Sequence, residues 1–255
     1  MDIALTRGVS PSIDRCELTH IGREPIDLPR ALAQHEDYCD RLEAMGLEVL
    51  RLPADPDCPD CCFVEDTAVV LDEVAVLTPL GTPARRAEVP AIASALAHYR
   101  ALAHIELPAT LEGGDVLRVG RRIFVGLSTR TNAAGSDALR SIVAPFGYEV
   151  VPASVTGCLH LKSAVTALDD ESVLANPAWF EAAALAPLRV VSIAAEEPGA
   201  ANVLGVRGQI WAHAGFPRTI EHLEGLGYRV TPVDISEFLK AEAALTCKSL
   251  LFRRM

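Results

Sequence analysis

A thiol, an imidazole and several carboxylates sit at matching places in a repeated sequence phrase. Cys247 follows Leu245-Thr246 and stands just ahead of the apolar run Ser249–Phe252. A thiol at the start of a strand is placed for access more than for packing. It attacks only as a thiolate, which requires electropositive or hydrogen-bonding neighbours. His160, within Leu159-His160-Leu161-Lys162, offers general acid/base chemistry. Glu65-Asp66 and Glu112-Gly113-Gly114-Asp115 supply carboxylates, and Asn202 an amide. Asp66, Glu112, His160, Asn202 and Cys247 recur at intervals of 42–48 residues. Singly, each has an ordinary reading: a buried cysteine, a core histidine, solvated turn residues. Jointly they form a nucleophile, an acid/base and its orienting group.

The repeating phrase predicts how these residues meet. Gly46–Pro53 reads as a strand ended by proline. Its echoes are Ala103–Pro108, Gly147–Pro152, Leu188–Ile193 and Gly227–Val233. Apolar hairpins are predicted at Thr67–Leu71 with Val74–Thr78, Val116–Val119 with Ile123–Gly126, Val165–Leu168 with Ser172–Ala175, and Val203–Val206 with Ile210–His213. Short polar connections such as Gly120-Arg121-Arg122 and Arg207-Gly208-Gln209 join their strands. Helices are expected over Pro29–Met45, Pro90–Leu102, Ala133–Phe146 and Pro217–Leu226, with a short counterpart around Asn176–Leu185. Asn132 is the expected cap of the third helix, and Gly227 ends the last.

The fifth phrase has one hairpin strand, Ser249–Phe252, and Ile3–Thr6 would supply the other. Five ββαβ units then close into a cyclic α/β arrangement, each buried against its neighbours. The whole of residues 1–255 would form one pseudo-symmetric domain, and the five equivalent polar positions would face a common axis. A doubly wound parallel sheet explains the β/α alternation but not the hairpin before each helix.

Composition limits the partners. A formal charge of −11 on 255 residues argues against nucleic acid or anionic lipid. No apolar run approaches the roughly 20 residues that span a bilayer, and the first residues lack a signal-peptide pattern. A soluble, cytoplasmic protein is expected. Seven cysteines in no disulfide-like spacing fit reduced thiols. Cys58, Cys61 and Cys62 lack the second C-x-x-C pair of a structural zinc site and read as small loop residues.

Convergent carboxylates around one thiol suit a flat cation. A guanidinium pairs two-fold with carboxylates and stays charged, and its central carbon becomes a target for sulfur. Arg85, Arg86 and Arg130 could meet a substrate carboxylate, and Asp60 an amino group.

Phe63-Val64-Glu65-Asp66, Glu112-Gly113-Gly114-Asp115, Ser128–Asn132, His160–Ser163 and Leu245-Thr246-Cys247 resemble, in the same order, the motifs of dimethylarginine dimethylaminohydrolases. These are guanidine-modifying enzymes of the pentein superfamily. The resemblance spans essentially the whole chain. It implies a five-bladed α/β propeller and hydrolysis of Nω-methylated arginines to citrulline and a methylamine, without cofactor or metal. It implies Cys247 as nucleophile, His160 as acid/base and Glu112 as its orienting partner. Asp66 would hold the guanidinium, with Asp60 and Glu65 contributing polar contacts and Arg85 and Arg130 binding the carboxylate. Leu18 matches a mobile lid residue. A second copy of the chain, as a homodimer, is the only protein partner considered. Arginine deiminases and amidinotransferases share the fold, and a non-catalytic guanidino binder would keep the cavity without turnover. Two departures stand out: Ala243-Ala244, where relatives often carry glycines, and the cysteine cluster at 58–62.

Overall fold

Short turns decide the architecture. At Arg207-Gly208 both residues have positive φ, 47° and 77°, the backbone of a tight hairpin turn whose twist matches its flanking strands. The computed structural model describes residues 2–254. In four units an antiparallel hairpin is followed by a return segment and a third strand parallel to the second. Their strands are Ala68–Val70, Val74–Leu77 and Ala101–His104; Val116–Val119, Arg122–Leu127 and Glu149–Ser154; Val165–Ala167, Ser172–Ala175 and Arg189–Ser192; Leu204–Val206, Gln209–His213 and Val230–Val233.

The fifth sheet joins the chain's two ends. Leu250–Arg253 runs antiparallel to Asp2–Arg7, with Leu250 opposite Leu5 and Phe252 opposite Ile3. Glu48–Leu52 completes that sheet in parallel. The innermost strands of all five sheets line one axial cavity of about 610 Å³. The fold is therefore the five-bladed α/β propeller expected from the repeats.

Helices cover the outer strands. Asp27 caps Leu28–Ala44 through the Arg30 amide, and Tyr38, Cys39 and Leu42 of that helix enter a core with Ala4, Leu47 and Trp211. The Asn132 side chain caps Ala133–Val143 by accepting the Gly135 amide at 2.8 Å, as expected. The second helix spans only Val89–Leu96, because Ala101–His104 is drawn into the parallel pairing with Val74–Leu77. In the third unit the return is a single 3₁₀ turn, Ala182–Leu185. Asn176 caps its own loop there instead, accepting the Ala178 amide at 3.1 Å. No helix among the described residues is long and apolar enough to cross a membrane.

Lys248 stands out among the buried polar side chains. It is fully buried, and its Nζ has no hydrogen-bond partner among the described residues. The amine sits 3.2 Å over the Phe238 ring centroid and 5.2 Å from that of Tyr38. Burial pulls its pKa down from 10.5 to about 7. The unfolded chain thus binds more protons across that window, and stability rises with pH through it. Lys248→Met is expected to stabilise the fold by about 2 kcal/mol at neutral pH, because it removes an unpaired polar group from the core. The gain should shrink toward pH 10.5. Thermal midpoints of both proteins at the two ends of the window check this, and a lowered midpoint at neutral pH refutes it.

Candidate active site

A short helical turn precedes the first strand in four of the five units: Val64–Thr67, Gly113–Asp115, Leu161–Ala164 and Thr246–Lys248. Each turn carries polar side chains out of the strand's alternation and toward the axis. The glycines of Glu112-Gly113-Gly114-Asp115 permit close approach between units. A Cβ on Gly113 would lie 1.9 Å from the Glu65 carbonyl oxygen, and one on Gly114 would lie 2.5 Å from His160 Nδ1.

Glu112 and His160 form the centre. The His160 Nε2 lies 2.7 Å from Glu112 Oε2, and both side chains are buried. The other ring nitrogen, Nδ1, faces Asp66 Oδ1 at 3.9 Å. Asp66 is itself fixed, accepting from the Gly114 amide at 3.0 Å and from Arg85 Nη1 at 2.8 Å. Asp115 holds the histidine's segment by accepting the Leu161 amide at 2.8 Å, and the Ser128 hydroxyl completes its shell at 2.6 Å.

The thiol arrives from the fifth unit. Cys247 keeps partial solvent access, and its Sγ accepts the Ala244 amide at 3.4 Å. Its turn is clamped to two other units. Thr246 donates its amide to Asn202 Oδ1 at 3.2 Å and its hydroxyl to Glu65 Oε2 at 2.8 Å. Asn202 Nδ2 donates to the Lys162 carbonyl at 2.9 Å and to Thr246 Oγ1 at 3.0 Å. Lys162 in turn pairs with Glu65. Glu65, Lys162 and Thr246 therefore form the floor between the site and the axial cavity.

Protonation follows from these surroundings. Burial pushes the Cys247 thiol up to about 12; Glu65 and Asp66 add to the shift, and the Ala244 amide opposes it. Burial alone would discharge His160, but Asp66, Asp115 and Glu112 outweigh it and raise the imidazole to about 9. Asp66 falls to about 2 despite its burial, held ionised by His160 and Arg85. At neutral pH Cys247 is a neutral thiol and His160 an imidazolium held by Glu112 and facing Asp66. Asp66, Glu112 and His160 also place three ligand-type atoms within 4.8 Å of one another. A cation there must first displace the histidine's proton. Cys61 and Cys62, in contrast, are buried thiols whose pKa burial raises, and Cys61 Sγ donates to the Gly8 carbonyl.

This geometry has close counterparts. Residues 21–167 match the family described as N,N dimethylarginine dimethylhydrolase, eukaryotic. An N(G),N(G)-dimethylarginine dimethylaminohydrolase from Streptomyces coelicolor is 41% identical over 253 residues, covering 99% of this chain and 97% of that one. The chain belongs to the dimethylarginine dimethylaminohydrolase family. A dimethylarginine dimethylaminohydrolase from Pseudomonas aeruginosa, solved as a cysteine-to-serine mutant complexed with citrulline, superposes with a TM-score of 0.91 at 31% identity, covering 98% of each chain. A dimethylarginine dimethylaminohydrolase with a histidine-to-glycine change, solved as an adduct with S-methyl-L-thiocitrulline, gives 0.92 at 32% identity, covering 98% of this chain and 99% of that one.

In this family member most of the remaining expected residues are engaged by neighbouring groups of the chain. Arg85 is buried, with Nε and Nη2 on Glu88 at 3.1 and 3.0 Å and Nη1 on Asp66. One N–H of Nη1 is left for a ligand. Asp60 accepts the Glu17 amide on both oxygens, at 3.3 and 3.2 Å. Arg130 reaches Thr82, and donates to the Thr19 hydroxyl at 2.9 Å. Leu18 is half-buried against the core cluster of Phe63, Phe238 and Ala243. Sequence reading did not single out Glu88, whose partner Arg85 is three residues away, or Lys162 and Glu242, whose partners lie in other segments. Asn202 was placed correctly at its repeat position, though the position gave no hint that it clamps two units.

Proposed function

We propose that this chain hydrolyses Nω-methylated arginines to citrulline and a methylamine through a covalent intermediate on Cys247. The observation that carries this reading is the buried Glu112–His160–Asp66 cluster, with the Cys247 turn tied through Thr246 to Glu65, the residue before Asp66. The substrate is a small molecule carrying a cationic guanidino group, and the expected product, citrulline, is what the Pseudomonas relative binds. All five units contribute to the site, so residues 1–255 act as one catalytic domain.

Asp66 and Glu112 hold the guanidinium, and its positive charge beside the sulfur offsets the burial, and the Glu65 and Asp66 carboxylates, that keep the thiol protonated. The sulfur gives its proton to solvent and forms a bond to the guanidinium carbon, whose C=N electron pair moves onto nitrogen. His160, an imidazolium at neutral pH, gives its Nδ1 proton to the departing nitrogen as the C–N bond breaks. The neutral imidazole then takes a proton from water, whose oxygen attacks the same carbon. The hydroxyl left on that carbon then loses its proton to the sulfur as the C–S bond breaks, releasing citrulline and the thiol. Splitting one displacement into two is the gain of covalent catalysis. Arg130 and the free N–H of Arg85 bind the substrate carboxylate, Asp60 and Glu65 complete polar recognition, and Leu18 covers the bound molecule.

The test is citrulline and dimethylamine release from asymmetric dimethylarginine, with monomethylarginine, arginine and an amine acceptor as comparisons. Equal turnover of arginine would make the protein a deiminase, and binding without product would make it a guanidino binder. The reactive form has lost one proton, so kcat/KM should rise about tenfold per pH unit below the histidine's transition and level off near 9. A kcat/KM that falls with pH across the neutral range would contradict the assigned protonation states.

A further inference from the structure

The loop carrying Leu18 is held from the side of the nucleophile by a residue that the proposed chemistry does not use. Glu242 lies five positions before Cys247 and is half-buried. Its carboxylate accepts two successive backbone amides of the loop, Thr19 N–H and, at 2.7 Å, His20 N–H. Its backbone has φ 53°, a left-handed conformation that disfavours any residue with a β-carbon. Glycine would satisfy that bend more easily. What a glutamate adds there is the carboxylate.

The loop has two other charged holds. Asp60 takes the Glu17 amide, and Arg130 donates to the Thr19 hydroxyl. Both of these lie in the site and face the substrate in the reading above. A substrate amino group and carboxylate would compete for them. Glu242 is outside that competition, so its pair of bonds survives when the site fills. They also tie the loop to the strand of chain that sets Cys247, through Ala243 and the Ala244 amide on Sγ.

We propose that Glu242 is a positioning residue that latches the Leu18 loop over the site, setting the fraction of enzyme whose lid is closed. The role of the lid rests on the methylarginine reading; the latch itself is a property of the loop. Opening the lid to admit substrate breaks the two amide bonds, and closure restores them.

The decisive variants are Glu242→Gly and Glu242→Gln, compared with the parent in the full chain. Glycine removes the carboxylate and relieves the left-handed backbone together, so the thermal midpoint should hold or rise. Amide hydrogen exchange at residues 17–20 should accelerate, with exchange elsewhere unchanged. KM for asymmetric dimethylarginine should rise about tenfold, since hydrogen bonds to a charged group are each worth more than neutral ones, with kcat unchanged or higher. Glutamine, which keeps one acceptor, should fall between. Unchanged exchange and KM in the glycine variant would overturn the latch. So would a lowered midpoint with kcat and KM both degraded and no recovery in the glutamine variant, which would mark Glu242 as merely structural. If the parent itself fails to turn over dimethylarginine, the functional reading falls, while the exchange rates still decide the latch.

Discussion

Cys247→Ser should form no measurable citrulline, a loss in kcat of about 10⁶-fold, the scale seen when a covalent nucleophile is deleted. The argument is chemical, not steric. Serine keeps the position and nearly the size, and the Ala244 amide can still donate to its oxygen. The turn is fixed by its neighbour: Thr246 bonds to Asn202 and Glu65, and none of those bonds involves the sulfur. Stability should therefore change by no more than about 1 kcal/mol. What disappears is a group that can ionise. The thiol already stands at about 12, and an alcohol in the same buried setting, with Glu65 and Asp66 nearby, ionises far less readily. No neutral base is available to help, because His160 carries its proton and Glu112 is committed to it. The measurement is citrulline formation by the serine variant, with its thermal midpoint and its affinity for dimethylarginine measured alongside. Retained binding with no product is the expected pattern. Turnover within tenfold of the parent would remove Cys247 from the mechanism, and a collapsed midpoint would leave the loss to misfolding.

The ring was legible because its signals are local and repeated. Apolar hairpins with polar turns recur at near-constant spacing, and the leftover strands Ile3–Thr6 and Ser249–Phe252 can only be paired by closing the circle, as the Leu5–Leu250 register does. Once closed, the ring brings equivalent positions together whatever their separation, which is why Glu112 and His160 could be expected at one axis from spacing, while their pairing was implied by the family resemblance. The remainder depends on which side chain wins which partner. Arg85 has five donors and two acidic neighbours, Asp66 and Glu88, and nothing in Arg85-Arg86 says that one guanidinium is buried between carboxylates while the other bonds the Leu80 carbonyl. Lys248 flanks the cysteine in sequence, yet in the turn Thr246–Lys248 its amine is buried against Phe238. Glu242 is a polar residue in an alanine-rich turn. Its use appears only when a loop more than two hundred residues earlier in the chain is folded against it.

Removing the imidazole separates the two chemical steps that the proposed mechanism joins. His160→Gly should lower kcat for asymmetric dimethylarginine by about 10⁴-fold, the upper range for a positioned acid/base, because dimethylamine leaves only if protonated. An arginine analogue whose leaving group is a thiol, such as S-methyl-L-thiocitrulline, departs without that proton. Sulfur attack should then still proceed in the variant, while the second step stalls for want of a base to activate water. A covalent adduct on Cys247 should accumulate and be visible as a mass increase, whereas the parent should release citrulline from the same compound. Stability answers as well. His160 is held above its unfolded value of 6.5, so its contribution is fully present below that pH and is lost as the pH rises through about 9. The variant should be least stable relative to the parent in acid, where Asp66 and Glu112 lose the cation that keeps them ionised. His160→Asn, which fills more of the space, should recover stability without activity. Equal adduct formation from dimethylarginine and from the thiol-leaving analogue would deny His160 the role of acid, and the mechanism would need another proton donor at that carbon.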